Sequence, residues 1–198
     1  MPRFRVSTHS RREFIKGKHR FEHWYRDNTV YFITARCRDR FPAFKSEEAK
    51  SAFWDRFNHY TQEYGFVPWV TSLVNNHYHT LGYLREGKNL GPMMQRIHGS
   101  IAKLVNDLLP ERRVPFWREG AHNDYFDGCL RDELQCRRAY RYTLKQSVRH
   151  HLASDYRSYP HTVVNVELDR GIKRALALQA FLSEVPYPRY GQSTRNAP

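Results

Sequence analysis

The apolar positions change period along the chain, and the changes outline the elements. Thr29 to Ala35 is dense in β-branched and aromatic residues and predicts a buried first strand. Ser46 followed by Glu47 and Glu48 predicts a helix start, since acids favour the first turn. Phe53, Phe57, Tyr60 and Tyr64 then recur at helical spacing until Gly65 ends the helix. Phe66 to Val74 predicts a second strand and His77 to Leu84 a third, with Asn75-Asn76 at the bend between them. Leu90, Met94, Ile97, Ile101, Leu104, Val105 and Leu108 mark a second amphipathic helix, closed by Pro110. Val114–Trp117 and Tyr125–Leu130 read as short strand or loop segments, and Arg131-Asp132-Glu133 opens a third helix running to about His151. Thr162 to Leu168 predicts an edge strand, and Ile172 to Leu182 a last amphipathic helix. The order of the core elements predicts an α+β fold, an antiparallel sheet with helices packed mainly on one face.

Charge changes the picture most. Lys and Arg number 33 against 20 acids, a net charge of +13, interleaved with 13 Tyr, 12 Phe and 4 Trp. Cations that neutralise phosphates and rings that stack on unpaired bases point to nucleic acid. The charge is densest in residues 1–28, a basic arm with Arg11 and Arg12 among its cations. Residues 29–160 form the domain proper, and 161–198 a C-terminal extension with a short helix and tail. No apolar run approaches the roughly 18 residues that span a bilayer, and the Arg-rich start lacks the apolar core of a signal peptide. A cytoplasmic, nucleoid-associated protein with no membrane partner is expected. Cys37, Cys129 and Cys136 are odd in number and widely spaced, which argues against a disulfide framework or a cysteine zinc site.

Chemistry gathers in two stretches. His77 and His79 lie two apart on a strand, so both imidazoles face the same side. On the third helix, Cys136, Tyr140, Leu144, Val148 and Leu152 form an apolar row expected to dock on the domain. Beside it run Arg137, Arg141, Lys145 and Arg149, followed by Arg138, Tyr142, Gln146 and His150. Cations this close repel one another unless an anion sits among them, so Arg137, Arg138, Arg141, Lys145 and Arg149 are expected to contact nucleic acid. Arg96 and Lys103, on the polar face of the second helix, are expected to do the same. A phenol with an ordinary pKa of about 10 needs neighbouring positive charge to react near neutral pH, and Tyr142 has it close by in sequence.

Together these features resemble the single-tyrosine HUH transposases of the insertion-sequence type, most closely the REP-associated tyrosine transposases. The resemblance rests on Val30-Tyr31-Phe32-Ile33-Thr34, Asn76-His77-Tyr78-His79, the helix with Gly99-Ser100 and Asn106, and Phe116-Trp117-Arg118. It continues through Arg131-Asp132-Glu133-Leu134 and Ala139-Tyr140-Arg141-Tyr142. The chain departs at Gln146-Ser147-Val148, where the REP-associated branch usually has Asn-Pro-Val; Gln fits the broader single-tyrosine pattern.

The resemblance implies a ferredoxin-like HUH endonuclease fold. It makes His77, His79 and Gln146 ligands of Mg²⁺ or Mn²⁺, and Tyr142 the nucleophile of a DNA transposase. That enzyme would nick and rejoin single-stranded or hairpin DNA through a 5′-phosphotyrosine link. The alternative is an inactive or domesticated relative that binds hairpin DNA or RNA. Tyr142 lies nearly opposite the apolar row, which is consistent with a homodimer whose tyrosine helix serves the partner's site, or with a hinged helix serving its own.

Overall fold

The computed structural model describes residues 25–118, 125–130 and 132–184. Arg11, Arg12 and nearly all of the expected basic arm lie outside the described residues. Five strands, β1 (Thr29–Arg36), β2 (Phe66–Leu73), β3 (His77–Leu84), β4 (Tyr125–Leu130) and β5 (Thr162–Val164), form one sheet in the order β4-β1-β3-β2-β5. Every neighbouring pair is antiparallel. The helices are α1 (Glu47–Glu63), α2 (Leu90–Leu108), α3 (Glu133–Leu144), the short α4 (Gln146–Arg149) and α5 (Leu168–Glu184). Among the described residues no helix is long and apolar enough to cross a membrane.

The helix starts follow local chemistry. Ser46 Oγ accepts from the Ala49 amide at 3.2 Å at the head of α1, and an Asp132 carboxylate oxygen accepts from the Gln135 amide at 2.8 Å at the head of α3. Gly65, with φ of 72°, ends α1 in the left-handed region that glycine tolerates.

Strand alternation sorts side chains into two cores. Tyr31, Ile33 and Ala35 of β1 and Tyr78 and Leu84 of β3 meet Phe53 and Phe57 of α1 and Met94, Ile97 and Ile101 of α2. The opposite parity sends Val30, Leu81 and Tyr83 to the other face, where they meet Cys136 and Tyr140 of α3 and Ile172 and Ala175 of α5. A bulge between Pro68 and Val70 turns both Trp69 and Val70 toward this second core. The antiparallel α+β class is as the pattern predicts, with the two longest amphipathic helices of the first half on one face. Helices cover the second face too, so β3 is buried along its whole length.

The third helix differs from expectation in its ending and its phase. It ends at Leu144, and Gln146–Arg149 continue as a separate turn. The buried stripe is Cys136, Tyr140, Thr143, Gln146 and Ser147, while Val148 is exposed. An i,i+4 row drifts by about 40° per step, because four residues overshoot one turn of 3.6. A helix lying flat on a sheet corrects that drift with i,i+3 steps. The fully buried contact therefore passes from Tyr140 to Thr143, with Leu144 half-buried at its margin, and Tyr142 falls on the flank of the docked face. The last helix begins at Leu168, a turn earlier than its apolar pattern, and the edge strand shortens to Thr162–Val164.

Gly171 shows how closely α5 seats. A Cβ there would lie 2.8 Å from the Trp69 indole, which is itself buried. Gly171→Ala is expected to destabilise the fold by about 1–3 kcal/mol, the usual cost of overpacking. Urea unfolding monitored by tryptophan fluorescence would give the midpoint shift, and an unchanged midpoint would refute the close seating.

Candidate functional site

The site begins with the register of two strands. His77 and His79 stand opposite Arg36 and Thr34 of β1, and all four side chains share the face covered by α3 and α4. Thr34 Oγ1 lies 2.7 Å from His79 Nδ1, and Phe32, two residues earlier on the same face, stacks parallel to the His79 ring at 5.7 Å. The two histidine rings are 5.0 Å apart and nearly perpendicular. They are 3% and 4% exposed, so burial decides their chemistry.

That burial keeps both imidazoles neutral. Loss of solvent pushes His77 down to about 4, with the nearby His150 and Arg36 adding to the shift. The same desolvation, together with His77 and Arg36, lowers His79 well below the usual histidine range. Among the described residues no carboxylate forms an ion pair with either ring.

The proton on His77 can be located. Asn76 donates from Nδ2 to the Arg40 carbonyl at 2.9 Å, which fixes its amide so that Oδ1 faces His77 Nδ1 at 2.6 Å. An amide oxygen only accepts, so Nδ1 carries the proton and Nε2 keeps a bare lone pair.

The tyrosine helix completes the group within the same chain. Tyr142 sits edge-on to His79 with ring centroids 5.1 Å apart and lies 6.0 Å from Phe32. Its ring is 39% exposed, so a substrate can reach it. The Arg149 guanidinium stands over that ring at 5.1 Å. Gln146 is buried and donates from Nε2 to the Tyr142 carbonyl at 3.0 Å. Its amide also interacts with His77 in the direction that favours the imidazolium, as an oxygen facing the ring does.

His77 Nε2 therefore keeps a bare lone pair, and a cation there would satisfy it. The donor set, two neutral imidazoles and a neutral amide oxygen, fits a divalent ion that takes nitrogen and oxygen ligands. Asn76 and Thr34 hold the opposite ring nitrogens, as outer partners of metal-bound histidines do. Among the described residues no three His, Cys, Asp or Glu side chains are grouped to hold a metal ion, so Gln146 has no carboxylate substitute.

The remaining expected residues divide. Arg149 joins the site. Arg137 does not: Glu133 and Asp169 bind its guanidinium and tie α3 to the start of α5. Arg138 and Arg141 lie on α3, the helix that carries Tyr142, and Lys145 is its C-cap. Arg96 and Lys103 are carried by α2, which packs on the far face of the sheet. The exposed His150 has its ring 4.7 Å from His77 at the rim of the site. Sequence reasoning passed over Arg36, which stands directly across from His77; the pairing register that reveals it is a tertiary property. His98 and His161 are structural, bonded to Tyr78 and to Glu47 and Trp54 respectively.

The neutral His77 makes stability depend on pH. Its native value of about 4 lies below the unfolded value near 6.5, so below pH 6.5 the unfolded chain binds more protons. Stability therefore falls as pH drops from about 6.5 to about 4, by on the order of 3 kcal/mol from this residue. Chelator-treated protein should show that fall in urea midpoints, and His77→Asn should flatten it; a parallel pH profile in the variant would contradict the assignment.

No family model matches this sequence, and no curated protein matches it. Among solved structures, the chain is similar to a REP-associated tyrosine transposase bound to a REP hairpin. The TM-score is 0.60 at 14% identity, over 73% of this chain and 82% of that one. A candidate transposase from Deinococcus radiodurans R1 gives a TM-score of 0.43 at 12% identity, over 69% of this chain and 97% of that one. The antiparallel sheet and its flanking helices thus have the fold of a REP-associated tyrosine transposase.

Proposed function

We propose that this protein is a metal-dependent tyrosine transposase that nicks and rejoins single-stranded DNA beside hairpins. The observation that carries the reading is the convergence of Tyr142, His79, His77 and Gln146 within one chain, with His79 touching the tyrosine ring. The hairpin bound by the similar solved structure supports hairpin DNA as the substrate class.

In the proposed reaction the Tyr142 hydroxyl oxygen attacks the scissile phosphorus. A Tyr–O–P bond forms, the P–O3′ bond breaks, and the phenolic proton is lost as the departing 3′ oxygen gains one. The 5′-phosphotyrosine conserves the energy of the broken ester, so a 3′-OH can reverse the step and join a new end. His77, His79 and Gln146 would hold Mg²⁺ or Mn²⁺, whose charge polarises and orients a phosphate. Arg149 sets positive charge against the nucleophile, and Phe32 and Thr34 fix the His79 ring. Tyr142 needs no partner subunit to stand beside these histidines.

Two measurements test this. Incubating the protein with labelled hairpin oligonucleotides and Mn²⁺ should yield a covalent protein–DNA adduct on a denaturing gel, absent in Tyr142→Phe. An adduct of equal intensity in that variant would remove Tyr142 as nucleophile, and no wild-type adduct across a hairpin panel would favour a binding module. Separately, Gln146→Ala should weaken Mn²⁺ binding at least about tenfold by EPR titration; wild-type affinity would remove Gln146 from the ligand set.

A further inference from the structure

Beside the nicking site, at the end of β1, lies an open cavity of about 400 Å³ lined by Arg36, Cys37, Arg38, Asp39, Arg40 and Arg118. Four arginines line it with one aspartate. Asp39 lies 3.6 Å from Arg38, and among the described residues Arg36, Arg40 and Arg118 form no ion pair. Like charges held this close are unfavourable in the empty protein, and a polyanion would relieve them.

The cavity wall is built by backbone bonds. Arg38 donates its amide to the Phe116 carbonyl at 2.9 Å, and Arg118 donates to the Arg36 carbonyl at 2.7 Å, on either side of the Cys37–Trp117 bridge. Asp39 and Arg40 both hold φ above +50°, at 53° and 57°, a region that non-glycine residues rarely adopt in succession. The Asn76 amide that grips the Arg40 carbonyl is the one whose oxygen orients His77. Arg36 stands across from His77 on the same sheet face. The cavity therefore borders the proposed nicking centre through Arg36 and is tied to it by a two-bond path.

We propose that this arginine cavity binds a backbone phosphate of the single strand next to the scissile position, and so sets the strand's path across the site. The inference rests on reading the site as a DNA-nicking centre. Guanidinium forks match phosphate oxygens in paired hydrogen bonds, and a cavity of this size has room for a sugar-phosphate unit. Such contacts carry position and not sequence.

Fluorescence anisotropy of a labelled single strand, with every protein in the Tyr142→Phe background, tests the proposal without any chemistry. For single strands, each lost phosphate contact lowers the slope of log K against log salt by about 0.7. Arg40→Gln/Arg118→Gln should reduce the slope by roughly 0.7 to 1.4 and weaken binding alike for unrelated sequences. Arg56→Gln/Arg112→Gln removes the same charge outside the cavity, where Asp55 and Asp107 already hold those guanidiniums, and should leave the slope unchanged. A wild-type slope in the cavity variant, or equal reductions in both double variants, would overturn the proposal. Should Arg40→Gln disturb its loop, Arg118→Gln alone carries the test with about half the change. Binding is read here apart from adduct formation, so failure of the nicking reading leaves this result independent.

Discussion

The constraint on which the site depends is the burial of two imidazoles on a central strand with no carboxylate paired to them among the described residues. Charging either ring there would place a cation in a dry space already faced by Arg36 and Arg149, so both stay neutral. Neutral imidazoles with bare ring nitrogens are ligands or acceptors in waiting. Because β3 has α1 and α2 on one side and α3 and α5 on the other, its alternation forces Tyr78 and Leu84 into one core and His77 and His79 into the other. A one-residue slip would exchange the two sets and destroy both cores along with the site. Sheet register and site geometry are thus the same requirement.

Local satisfaction gives way on the tyrosine helix. At Lys145 the backbone leaves helical geometry, with ψ near 1°, and the short α4 turn resumes at once. The break carries Gln146 inward, where its amide serves the Tyr142 carbonyl and His77. It also buries Ser147 Oγ, which has no hydrogen-bond partner among the described residues, a loss of about 1–3 kcal/mol for a polar atom taken from water. A chain selected for stability alone would fill that position with an apolar residue. Proteins break local rules most often where function requires it, and this lapse sits one residue from the proposed ligand.

How far the sequence was legible follows from the range of each signal. Strands β1, β2 and β3 and the face shared by His77 and His79 depend on period-two alternation, which needs no knowledge of partners. The phase of α3 did not follow from its i,i+4 rows, because the sheet selects an i,i+3 step at Thr143 and so turns Tyr142 toward its own histidines. The role of Arg137 was hidden for a related reason: its partner Asp169 lies on α5, far along the chain. The segment Arg36–Arg40 carries charge at a strand exit and shows no motif in sequence. Its importance comes from Asn76 and Arg118, which arrive from elsewhere in the fold.

The distribution of positive charge then narrows what can hold a nucleic acid strand. Cations among the described residues lie on both faces of the sheet, with Arg96 and Lys103 on the α2 side and Arg36 and Arg149 on the histidine side. A sheet and a packed helix separate them, a thickness of roughly 10 Å for each layer. Screening at physiological salt acts over about 8 Å, so exposed cations on the far face add little to the potential at Tyr142. On the proposed nicking function, grip on the scissile strand among the described residues falls to the guanidiniums at the site itself, above all those around the β1 end. The Asn76 amide couples their loop to the orientation of His77, so binding and chemistry share one hydrogen-bonded frame.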